Sequence, residues 1–63
     1  MSDKMITLLE AAGLIGVPES TLRYWRHIGH GPPGARIGRR VLFREDDVRR
    51  WIADQFAAER TSA

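Results

Sequence analysis

At 63 residues the chain is one small domain at the lower edge of what folds alone, which excludes a two-domain organisation. Its 43% hydrophobic and 29% charged residues and its five aromatics (Tyr24, Trp25, Phe43, Trp51, Phe56) exclude disorder throughout, and a net charge of +2 says little until its distribution is examined. With no cysteine, no apolar run near the roughly 20 residues of a membrane span and no basic-then-apolar leader, the chain lacks disulfides and thiolate zinc sites, and an intracellular, cytoplasmic protein is expected.

The first residues, 1–6, are expected to fray. Thr7 followed by Glu10 has the form of a capping box, and Leu8, Leu9, Ala12 and Ile15 then fall at helical spacing, which predicts a first helix from about Leu8 to Ile15. Gly16 is placed to stop it as a left-handed cap. Pro18 sits where the first turn of a second helix tolerates proline, so the connection is a very tight turn. Leu22, Trp25 and Ile28 recur at helical spacing and Gly29 follows, predicting a second helix from about Pro18 to Ile28.

His30 to Gly34 reads HGPPG, an extended connector. From Arg36 to Phe43 the pattern is a short β-hairpin with Gly38 in its turn. A two-residue turn pairs Ile37 with Arg40. A three-residue turn pairs Ile37 with Val41 and Ala35 with Phe43 on one apolar face, and is the favoured expectation. Glu45, Asp46 and Asp47 then open a third helix to about Ala58, with Val48, Trp51, Ile52 and Phe56 on one face and a frayed tail over 59–63.

Charge is concentrated in the middle. Between Glu19 and Glu45 there is no acid, yet Arg23, Arg26, Arg36, Arg39, Arg40 and Arg44 all lie there; the remaining four basic residues face all eight acids. Such asymmetry points to a polyanion, and nine of the ten basic residues are arginine, the side chain suited to forked contacts with phosphate and guanine. On the second helix the polar face carries Glu19, Ser20, Arg23, Arg26 and His27 with Tyr24 on its flank. Arg23 is the candidate for reading a base edge, flanked by Arg26 and Glu19. Ser20 and His27 suit phosphate. Tyr24 suits phosphate or the edge of the core. Arg39 and Arg40 stand at or beside the hairpin tip, Arg36 on the strand leading to it, and Arg44 is placed to serve the start of the third helix instead.

Helix, tight turn, helix, basic hairpin, helix is the order of a winged helix-turn-helix, mainly α with a small β-hairpin. The run Leu9, Glu10, Ala11, Ala12, Leu14, Ile15, Gly16, Val17, Ser20, Thr21, Leu22, Tyr24 and Trp25 resembles the DNA-binding start of MerR-type regulators. The continuation Gly31, Pro32, Pro33, Arg36, Ile37, Gly38, Arg39, Arg40, Val41 and Asp47 to Trp51 resembles phage excisionases and AlpA-like regulators. The resemblance implies a second helix in the major groove of double-stranded DNA and a wing on the adjacent minor groove or backbone. For excisionases it implies attachment-site binding, bending, further copies loaded head to tail, and an integrase steered towards excision in a bacterial cytoplasm. Full MerR regulators continue into a dimerisation helix and effector domain, so an effector sensor is not expected. A small transcriptional regulator is the alternative, and an integrase- or polymerase-recruiting module is an alternative of another class.

Other signals are expected to be structural. Trp25 and Trp51 read as core by periodicity. His27 and His30 are three apart, but Gly29 ends the helix between them and no cysteine joins them, so no metal is expected; Glu45 to Asp47 read as a solvated first turn. No nucleophile with a base and no phosphate-binding glycine loop is present, so neither an enzyme nor a cofactor is expected.

Overall fold

The computed structural model describes residues 4–61. Its elements in order are β1 (Met5–Thr7), α1 (Leu8–Ile15), α2 (Glu19–His27), β2 (Gly34–Ile37), β3 (Arg40–Arg44) and α3 (Glu45–Thr61), with α1 and α3 packed on an antiparallel sheet of order β1-β3-β2 and α2 packed on α1. The β2–β3 hairpin is the wing, and the fold is a winged helix-turn-helix, mainly helical with a small sheet.

Local signals set the first two helices. Thr7 Oγ1 accepts from the Glu10 amide at 3.2 Å while Glu10 Oε1 accepts from the Thr7 amide at 3.0 Å, a reciprocal capping box. The Thr7 hydroxyl also donates to Glu10 Oε1 at 3.1 Å, and the bonds that the carboxylate accepts, first the one from the Thr7 backbone and then the one from its hydroxyl, hold the Glu10 carboxyl below its usual pKa, with Lys4 adding to the effect. Gly16 ends α1 with φ 91° and donates to the Ala12 carbonyl, which also accepts from Val17. Pro18 is the N-cap of α2 rather than its first residue, and its carbonyl accepts from Thr21 and Leu22.

The ends differ from expectation. Within 1–6, Met5 and Ile6 are not frayed: they belong to β1, where Ile6 pairs with Phe43 and is buried. At the other end α3 continues through Thr61, and residues 1–3 and 62–63 lie outside the described residues. The Glu45 amide donates to the Lys4 carbonyl at 2.9 Å, so the residue before β1 also tethers the start of α3.

The hairpin register is corrected by one residue. Ile37 pairs with Arg40, Arg36 with Val41, Ala35 with Leu42 and Gly34 with Phe43, which is the two-residue turn through Gly38 and Arg39. Gly38 takes φ 64° at the first central position, where a type II′ turn places glycine. The base of the hairpin supplies the physical reason. A Cβ on Gly34 would lie 2.6 Å from the Phe43 ring, so the ring lies over the one strand residue that leaves room for it. A shift of one residue reverses every side chain of a strand. Arg36 therefore shares the inner face with Val41 and Phe43, while Ala35 and Ile37 join Leu42 on the outer face.

The buried core is Ile6, Leu8, Ala11, Ala12, Leu22, Phe43 and Val48, with Leu14, Ile15, Val17, Trp25, Val41 and Ile52 packed around it. Three residues expected on the apolar faces of the helices are exposed instead. Leu9 is turned off the Leu8, Ala11, Ala12 stripe, Ile28 caps the C-terminus of α2, and Phe56 lies on a part of α3 that has outrun the body. Trp25 and Trp51 are half-buried, their ring centroids 5.9 Å apart, and His30 meets both edge-on.

Candidate nucleic-acid interface

On α2, successive residues are rotated by about 100°. Taking Glu19 as zero, Arg26, Arg23, His27, Ser20 and Tyr24 fall at about −20°, 40°, 80°, 100° and 140°, while Leu22 and Trp25 fall at about −60° and −120°. Burial follows the same arc: Ser20, Arg23, Tyr24 and His27 are exposed, Glu19 and Arg26 half-buried, Leu22 buried. All six predicted residues of this helix thus share one face, with Arg23 and His27 at its centre, Arg26 at one margin and Tyr24 at the other.

The margin bearing Glu19 and Arg26 faces the wing. Between α2 and the hairpin run two adjoining concavities of about 370 and 540 Å³. The first has Leu9, Glu19 and Arg23 on one side and Arg36, Arg39 and Arg40 on the other; the second is lined by Arg23, Arg26, His27 and Arg36 among others. Arg23 and Arg36 line both, so they form one continuous trough. Five of the six central arginines line it, and among the described residues Glu19 is the one carboxylate that does. The corrected register explains Arg36, which the inner face of the wing directs towards α2. Arg44 lies elsewhere, on the outer side of the sheet.

Two of the arginines lining the trough have protein partners. Arg23 reaches Glu19 at 3.7 Å with its side chain 66% exposed, a loose surface pair of the kind worth only tenths of a kcal/mol, so it does not fix the guanidinium. Arg26 Nη1 donates to the Gly34 carbonyl at 3.5 Å, the long limit of such a bond, in a partly buried position. That bond joins the end of α2 to the base of the wing. Arg26 therefore spaces helix and wing, a role the sequence pattern did not indicate.

Ser20 and Tyr24 stand on the side of α2 away from the trough. His27 is exposed on the helix, His30 meets the two tryptophans edge-on, and no group of three or more potential metal-ligating side chains gathers among the described residues. Sequence reasoning missed Leu9, which is 63% exposed at the mouth of the trough; its place 100° off the Leu8, Ala11, Ala12 stripe was the available signal. Among the described residues no helix is long and apolar enough to cross a membrane.

A family model described as a helix-turn-helix domain matches residues 5–55. No curated protein and no solved structure matches the chain significantly. The matched span runs from β1 through most of α3 and includes the α1–turn–α2 unit that presents the arginine face, and the chain accordingly belongs to the helix-turn-helix domain family of sequence-specific DNA-binding proteins.

Proposed function

We propose that the protein is an architectural DNA-binding protein of the excisionase type, with α2 entering the major groove and the wing lying against the adjacent minor groove. The observation that carries this reading is the trough, whose two walls are a helix and a hairpin, both edged with arginine. The major groove, about 12 Å wide, admits one helix, and narrow A·T-rich minor grooves attract arginine, here Arg39 and Arg40 at the wing tip. Arg23 reads a base edge, and Ser20, Tyr24 and His27 position the helix on phosphates.

One module of this size covers roughly 600 to 1,000 Å² of protein surface on DNA. Occupancy of a regulatory region then calls for several copies. In this reading they load head to tail on directly repeated sites, curve the DNA, and steer an integrase towards excision, the protein performing no reaction of its own. The resemblance of Gly31, Pro32, Pro33, Arg36 to Val41 and Asp47 to Trp51 to excisionases and AlpA-like regulators supports the finer assignment, with a small transcriptional regulator as its alternative.

The test is an in vitro recombination assay with the integrase and attachment sites of the genetic element that encodes this chain, with and without the protein. A shift of product towards excised circles is expected. Unchanged recombination, together with an altered transcript level from a promoter the protein binds, would overturn the excisionase reading in favour of a transcriptional regulator.

A further inference from the structure

Two of the exposed apolar features outside the trough complement each other. The first is a depression of about 310 Å³ on the outer face of the sheet, floored by Met5, Pro33, Ala35, Ile37 and Leu42, with Arg44 and Asp47 also in its wall. The one-residue register of the wing creates it by turning Ala35 and Ile37 outward beside Leu42. The second is Phe56, 67% exposed on the segment of α3 where every residue from Ala53 to Arg60 is exposed.

The two cannot meet within one molecule. Asp47, at the wall of the depression, and Phe56 are on the same helix, nine residues and so about 14 Å apart. At about 100° per residue they also point to opposite sides of it. A contact that joins different patches on successive molecules grows an open array rather than a closed dimer.

Size and charge match. A cavity of about 150 Å³ suffices for a benzene ring, so this depression admits a phenyl group with room for its stem. Glu59 and Arg60 follow Phe56 by three and four residues and share its side of α3. One orientation of an incoming helix end sets Glu59 against Arg44 and Arg60 against Asp47, and Arg44 is placed to lie on the ring face. We propose that Phe56 of one copy seats in the outer-sheet depression of the next, with Glu59 against the neighbour's Arg44. This proposal rests on the reading of the protein as one that loads in several copies on DNA, and names the surfaces that join them.

The contact is small. A phenylalanine buries some 150 to 250 Å², far below the roughly 1,200 Å² of a stable interface. Copies therefore stay separate in solution and join where DNA holds them as neighbours, since tethering raises the effective concentration to the millimolar range.

The experiment uses a DNA site selected by the protein from random sequence, presented once and as direct repeats with spacings varied about one helical turn. Affinity for the single site reports DNA binding alone, and the gain on the repeat reports the contact. Phe56→Ala is expected to leave single-site affinity unchanged and to lower the cooperativity factor about tenfold. Arg44→Glu and Glu59→Arg should each lower it, and the two changes in one chain should restore it, because every copy then presents both halves of the reversed pair. Full cooperativity in Phe56→Ala, no cooperativity of the unaltered protein at any spacing, or no rescue by the double change would each refute the contact and leave the DNA-binding reading standing. Failure to select or bind any DNA site would overturn both.

Discussion

Arg23 and Arg26 are three residues apart on α2, yet one projects from its loose pair with Glu19 into solvent and the other is turned onto the Gly34 carbonyl. Arg23→Ala should therefore cost about 1 to 3 kcal/mol on the selected site and much less on random DNA, as removal of a forked bond to guanine does. Equal weakening on both, measured by titration at one salt concentration, would make Arg23 a phosphate contact. Glu10 supplies a second prediction. Its carboxyl is held below the usual range by the capping box, so its contribution to stability is fully present above the unfolded-state pKa and is lost as pH falls through the lowered folded value. Glu10→Gln keeps a capping side chain but no charge. Thermal unfolding should find this variant less stable than the parent at neutral pH, with the difference narrowing in acid. These residue roles were unequally legible in the sequence. The 100° rule alone put Ser20, Arg23, Tyr24 and His27 on one face, whereas the bond from Arg26 to Gly34 spans the connector and follows from no local spacing.

Elements differ in the same way. Both bounds of α1 were readable because the Thr7–Glu10 box and Gly16 act within a few residues of the helix. The wing register was not, because apolar pairing favours the three-residue turn, whereas the observed two-residue turn divides the apolar residues between the two faces of the sheet and fits the Phe43 ring over Gly34. Gly34→Ala should consequently destabilise the fold by about 1 to 3 kcal/mol in urea unfolding, as overpacking of a filled site does. A change within a few tenths would mean the ring is free to move aside. The wing tip carries its own prediction. Replacing Arg39 and Arg40 together with alanine should lower affinity by a similar factor on all sequences and flatten the salt dependence by roughly one unit for each phosphate that the variant leaves unneutralised. An unchanged slope would show that the tip does not touch DNA.

Across the whole molecule, helix order, the tight turn and the basic wing were legible because they rest on periodicity, glycine and proline placement and charge. The sheet was only partly so. β1 is three residues long, too short to display a period, and it exists through pairing with β3 more than thirty residues away. Phe56 matched the apolar spacing of α3, but spacing cannot tell where a helix passes beyond the body it packs on. The aromatic cluster has a consequence of a different kind. Trp25 and Trp51 are the chain's two tryptophans; one rides on α2, which enters the groove in the proposed complex, and the other on α3, which stays behind. With their rings 5.9 Å apart and His30 against both, the indole transitions couple, and any tilt of the reading helix alters emission and ultraviolet dichroism. The protein thus carries an intrinsic optical report on how α2 packs against α3, usable without a dye or a label.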